Sequence, residues 1–320
     1  MSPFAKKAGI VFIKAIISAI SVWFILKKVN ARNDLDELFV TFNHSIQDPV
    51  KMWGITAVVI LMGVNWLFET AKWKLLLEYI SPTSWIRCFR SVMSGVTVSI
   101  LTPNRIGEFA GRVLHLDQGV RVKAAIASVI GSMNQLLITV LAGGLGLMAS
   151  MSLFVEDAFI ERIFNILVIT GMIVAVYIYF RIPGITGMAK KFSALRKLLL
   201  YMEIFEKYTT GTLLKLSMLS ALRYLVFSIQ FILMLHWFDI VIPWQDSLKA
   251  ISMMYLVMAI VPSIALSELT IRGSVALFFF SAYSGNGSGI LAASSVVWII
   301  NLVIPALIGA LAAFYFRFTR

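Results

Sequence analysis

Ionisable side chains are scarce in this sequence, and several fall where charge is least expected, inside long apolar runs. The stretch Thr102-Pro103-Asn104-Arg105-Ile106-Gly107-Glu108 is followed four residues later by Arg112. A second stretch breaks at Pro262 and carries Glu268 and Arg272, again four apart. Glu69 and Lys72 interrupt one apolar run and Arg223 another. An (i, i+4) Glu–Arg pair shares one helix face and can neutralise itself, which would pin the two broken segments and nothing more. The alternative is a hydrated cavity with surplus positive charge. Guanidinium groups fork onto phosphate oxygens, and helices restarting after Pro103 and Pro262 would present N–H groups that favour an anion. On that reading Arg105, Glu108, Arg112, Glu268, Arg272, Glu69, Lys72 and Arg223 are the candidate binding residues, with Pro103 and Pro262 as the breaks. The ligand class is a membrane lipid with an anionic headgroup. A charge at bilayer depth costs about 2.5–3.5 kcal/mol even on permissive scales, so each of these residues is a functional candidate by default. Glu108 and Glu268 are also candidates for proton exchange, which would couple transport to pH or membrane potential.

The elements that would hold these residues follow from composition. Of 320 residues, 59% are hydrophobic and only 14% charged, against roughly 25% charged in soluble domains. Apolar segments at about 8–29, 52–78, 124–150, 161–181, 213–238 and 290–316 are long enough to span a bilayer of about 30 Å. The first, preceded by Lys6 and Lys7, is too long for a signal-peptide core and reads as a span. Segments 91–116 and 248–283 are broken and charged in the middle. They read as re-entrant hairpins, because freed backbone groups at membrane depth need protein or a wet cavity around them. The expected fold is therefore an all-α polytopic membrane protein with six spans and two re-entrant hairpins. Each half, residues 1–155 and 156–320, has the order span, span, hairpin, span. Three crossings per half make the second half inverted, and discontinuous helices in inverted repeats are a transporter feature.

Charge distribution orients the chain. With both termini inside, seventeen of the 28 Lys and Arg residues fall in cytoplasmic stretches and six outside. Counting the broken segments as full spans would move the basic stretch 181–215 outside, against that rule. The net charge of +12 then reflects inner loops and lipid phosphates rather than nucleic acid. The stretch 186–210 reads as an interfacial amphipathic helix. Lys14 reads as snorkelling to the inner face, and for Arg223 snorkelling and a site role are both open. Asn65 and Gln230 read as interhelical glue, and Gly143, Gly144 and Gly146 as points of close helix packing. His44, His115 and His236 lack metal-ligand spacing, and neither a metal nor another cofactor is expected. Asp34-Leu35-Asp36 resembles a nucleotide-sugar motif but sits in a loop too small for a nucleotide fold.

At Thr102 to Glu108 the chain resembles the lysylphosphatidylglycerol synthase transmembrane-region family, flippase-like proteins that include the membrane half of multiple-peptide-resistance factors. Glu69-Thr70-Ala71-Lys72-Trp73 and Ser267-Glu268 extend the likeness. Ile264-Ala265-Leu266-Ser267 departs from it, since glycines often precede that glutamate in the family. The resemblance implies lipid translocation between leaflets of a bacterial cytoplasmic membrane, with an aminoacylated or other anionic phospholipid, or a polyprenyl phosphate, as cargo. Because the chain ends just after the last span, no catalytic domain and no enzyme activity is expected. Homo-oligomerisation and a separate lipid-modifying enzyme remain open as partners. A membrane-embedded transferase and a non-transporting assembly factor are the competing readings. The topology is directly testable: Lys190→Cys in a Cys88→Ser background should react with an impermeant thiol reagent only from the cytoplasmic side. Labelling from outside would reverse the assignment.

Overall fold

The computed structural model describes residues 40, 42–43, 45–100, 102, 105–153, 155–184, 203–261 and 265–317. The expected span at 8–29, Lys14, the Asp34–Asp36 motif, His44, Pro103, Pro262 and most of 186–210 lie outside them. Every regular element among the described residues is helical. In chain order these are α1 (Pro49–Leu77), α2 (Trp85–Ile100), α3 (Gly107–Val113), α4 (Arg121–Ser150), α5 (Ala158–Phe180), α6 (Thr210–Trp237), α7 (Trp244–Ile260), α8 (Ala265–Phe280), α9 (Gly287–Trp298) and α10 (Ile304–Arg317). A π-helical turn, Ile299–Val303, joins α9 to α10. Pro305 lies two residues beyond it; lacking an N–H, it cannot donate to the regular ladder there.

Five helical segments are long and apolar enough to cross a membrane: Pro49–Leu77, Gln118–Ser150, Ala158–Phe180, Thr210–Trp237 and Gly287–Leu311. They coincide with five of the six expected spans; four begin three residues earlier, and Gln118–Ser150 begins six earlier. Side-chain caps account for the offset of the four. Asp48 accepts a hydrogen bond from the Val50 N–H, Asp157 from Phe159 and Ile160, Thr209 from Thr212 and Asn286 from Gly289. Such side chains satisfy the first free N–H groups of a helix. Residues 203–207, expected to close an amphipathic helix, form a 3₁₀ turn instead.

Helices α1 and α6 form the central pair and run antiparallel. Val58 O accepts from Gln230 Nε2 at 2.8 Å at one end, and Tyr79 Oη meets Thr212 Oγ1 at 3.0 Å at the other. Two apolar cores lie along them. One gathers Trp73, Leu76 and Leu77 of α1, Leu213 and Leu216 of α6, and side chains from α2 and α4. The other gathers Val58 of α1, Phe231 and Met234 of α6, and side chains from α7 to α9. Outside this centre α5 buries only Tyr179 and presents exposed Ile163, Ile166, Leu167 and Ile173, as suits a helix facing lipid.

The two broken segments fold back on themselves. Helix α2 has 16 residues and α3 only 7, about 24 and 10 Å at 1.5 Å per residue, both short of a bilayer core. They pack antiparallel: Ser94 Oγ meets His115 Nε2 at 2.7 Å, and glycines set the contact. A Cβ on Gly111 would lie 2.5 Å from Ser94 O and 2.7 Å from Gly95 Cα. Similarly, a Cβ on Gly309 of α10 would collide with Met93 O and Thr97 Oγ1 of α2. Gly143 and Gly146 admit Leu256 and Ser252 of α7 against α4, and Gly144 admits Met172 of α5. Overpacking costs about 1–3 kcal/mol. Gly111→Ala and Gly309→Ala should therefore each lower the melting temperature in detergent, whereas Gly171→Ala, which meets nothing within 4 Å, should leave it unchanged.

Candidate functional site

Between α1, α3, α4 and α6 the structure buries a knot of charge. Glu69 of α1 is its centre: Oε1 accepts from Arg112 Nη2 of α3, and Oε2 accepts from Arg223 Nη1 of α6. Lys72 Nζ, one turn along α1, lies 3.3 Å from Oε2 and donates to Gly131 O of α4 at 3.4 Å. Arg112 also donates to Glu108. Arg223 Nε donates to Asn65 Oδ1 at 2.8 Å. Aromatic faces complete the shell, with Arg112 5.5 Å from the Trp73 ring centre and Arg223 5.6 Å from that of Trp66. Glu69, Lys72, Arg112 and Arg223 are all buried. A carboxylate in low dielectric persists only when paired and hydrogen-bonded, and Glu69 has three cations from three helices.

A second ionic group joins the two broken segments. Glu268 of α8 receives Arg105 in a fork, Nη2 to Oε1 at 2.8 Å and Nε to Oε2 at 3.2 Å. Arg272 Nη2 donates to the same Oε1 at 3.1 Å and lies 5.9 Å from the Tyr255 ring centre. Arg105 has φ 56°, a left-handed backbone that residues other than glycine adopt at a cost and that concentrates at functional sites. Arg105, Glu268 and Arg272 line one side of a cavity of about 450 Å³, within the range of small-molecule pockets. Tyr224, Phe227 and Tyr255 line it further, with Gln135, Thr139 and the apolar run Met258 to Val261. Gln135 Oε1 lies 3.5 Å from Arg223 Nη1, so the cavity wall touches the buried knot.

All eight charged residues singled out from the sequence thus fall into two adjoining groups. Arg112, Glu108, Glu69, Lys72 and Arg223 form the knot; Arg105, Glu268 and Arg272 form the cavity wall. Arg223 does not snorkel, because its guanidinium turns inward to Glu69. Gln230 and Asn65 both bond across helices as expected, Gln230 to Val58 O and Asn65 to Arg223 Nε. The expected anion site at the start of the first restarted helix does not fit a helix of 7 residues, about two turns with little aligned dipole. Its first N–H is also engaged, since Gly107 N donates to Thr102 Oγ1 at 2.7 Å. Sequence reasoning missed Gln135, Thr139, Tyr224, Phe227 and Tyr255. A signal existed only for Gln135, a polar residue inside an apolar run.

The model of the family described as the lysylphosphatidylglycerol synthase TM region matches residues 11–316. The chain belongs to this family. It is accordingly a multi-pass membrane protein, and membership directs the functional reading to membrane lipids. No curated protein and no solved structure matches the chain. Within this member of the lysylphosphatidylglycerol synthase TM region family, Glu69 should be the residue least able to tolerate neutralisation. Glu69→Gln leaves Lys72, Arg112 and Arg223 buried around one fewer negative charge, a loss of about 3–5 kcal/mol for a broken buried pair. The expected outcome is a sharp fall in folded protein recovered in detergent. Recovery and melting temperature equal to wild type would refute the central role of Glu69.

Proposed function

We propose that the protein carries lipids with an anionic phosphate headgroup between leaflets of a bacterial cytoplasmic membrane. One observation carries the reading: the Arg105–Glu268 bridge joins two broken helical segments at the wall of a cavity that Arg272 also faces. Two guanidinium groups against one carboxylate leave a positive charge there, suited to bidentate contact with phosphate oxygens. Met258 to Val261 offer an apolar flank to the same cavity, and Ile260 is largely exposed, so an acyl or prenyl chain can lie outward while the headgroup lies inside.

The packing supports an inverted repeat with re-entrant hairpins. Helix α4, which follows the first hairpin, packs against α7, the first arm of the second. Reciprocally α10, after the second hairpin, packs against α2, the first arm of the first. This exchange, with the antiparallel α1–α6 pair, is what two halves related by a two-fold axis in the membrane plane would produce. Such halves rock about a shared central site in known carriers. Both termini are assigned to the cytoplasm from the loop charges. The protein acts here as a carrier and not as an enzyme, and the aminoacylated and polyprenyl-phosphate lipids are the cargo candidates beside simple anionic phospholipids. A separate lipid-modifying enzyme would supply the first of these, and a homo-oligomer is compatible with the exposed flank of α5.

Reconstitution into liposomes tests this reading. Wild-type protein should accelerate transfer of at least one phosphate-headgroup lipid between leaflets, and Arg105→Ala should slow it at least tenfold while the protein remains folded. Absence of transfer for all three lipid classes would reject the carrier.

A further inference from the structure

The carboxylates of the two ionic groups differ in what they can release. Glu69 is surrounded by Arg112, Arg223 and Lys72, all buried, so no ligand reaches those cations without dismantling the packing. Glu268 holds Arg105, whose side chain is 42% exposed, whereas its own is 7% exposed. It also holds Arg272. If Arg105 leaves Glu268, the carboxylate still has Arg272 and is not stranded, the circumstance that makes breaking a buried pair so unfavourable. Arg105 is thus the cation of the site that can be lent. The fork it offers to a carboxylate is also the fork a phosphate uses.

Resting on the carrier reading above, we propose that Glu268 is a built-in competitor for the headgroup. Its carboxylate occupies on Arg105 the place that the lipid phosphate takes, and returns there to expel it. Binding is an exchange of one anion for another on Arg105, with Arg272 keeping Glu268 paired throughout. Because Arg105 lies between the arms of the first broken segment and Glu268 at the start of α8, the exchange also uncouples the two segments while lipid is bound. An occupied carrier then lacks the bridge that joins them when empty.

This assignment predicts the reverse of what a simple counter-ion or ligand role would give. Titration with dihexanoyl phosphatidylglycerol, against dihexanoyl phosphatidylcholine as control, would be followed by native mass spectrometry in an uncharged detergent. Glu268→Gln should bind the anionic lipid at least tenfold more tightly than wild type and transport it more slowly, since nothing displaces the headgroup. Glu268→Asp, which keeps the charge and the fold but reaches less far, should bind with intermediate affinity. Arg105→Gln should lose the preference for the anionic lipid. Equal or weaker binding by folded Glu268→Gln would overturn the proposal; where that variant does not fold, equal or weaker binding by Glu268→Asp does so. A wild type with no preference for phosphatidylglycerol, unaltered by Arg105→Gln, would overturn the carrier reading as well. Inorganic phosphate at the same concentration should bind more weakly; equal binding would support the exchange and remove the lipid from it.

Discussion

The Glu69 carboxylate is the constraint on which the rest of the arrangement depends. It is buried among helices that have little polar surface to offer, and an isolated ion in such surroundings is untenable. Its position requires Arg112 from α3, Arg223 from α6 and Lys72 from its own helix to converge. That convergence in turn holds a helix of 7 residues, too short to persist by itself, against the central pair. Once α3 is fixed, Arg105, two residues before it, meets the second broken segment. The geometry at the cavity is therefore inherited from a carboxylate that does not line it. Glycines at the α2–α3 and α2–α10 contacts serve the same end by allowing backbones to approach where side chains would hold them apart.

What could be read from the sequence follows the range of the interaction concerned. Spanning helices announce themselves through continuous apolar runs, a local property. Four of them start three residues before the apolar run because hydropathy reports where the bilayer begins, while Asp48, Asp157, Thr209 and Asn286 report where the helix does. The pairs Glu108–Arg112 and Glu268–Arg272 were legible from a spacing of four, since helical geometry alone brings such residues together. The pairs that organise the site were not. Glu69–Arg112 spans 43 positions, Glu69–Arg223 spans 154 and Arg105–Glu268 spans 163. Nothing in the spacing of a single chain specifies those partners, although the scarcity of charge singled out the residues that form these pairs. Tyr224 and Tyr255 were invisible for a different reason: aromatic residues are common in apolar helices, and only the cavity distinguishes these two.

The two ionic groups illustrate how one chemistry serves opposed purposes. Both are carboxylates ringed by arginine; the Glu268 group lines the cavity itself, and the Glu69 group adjoins it through Gln135. Saturation and burial make the Glu69 group a fixed joint, whereas partial exposure of Arg105 and a second partner for Glu268 suit the other group to the proposed exchange. The proposed carrier would require both. Without a fixed joint, removal of the inter-segment bridge would let the short helices drift. Without an exchangeable bridge, a phosphate would find no vacant guanidinium, because every arginine in the knot is already engaged. On the proposed carrier reading, placing the exchangeable pair between the two broken segments, and the saturated one behind the first, would let a headgroup alter how the segments touch while leaving the helix pair that carries them unchanged.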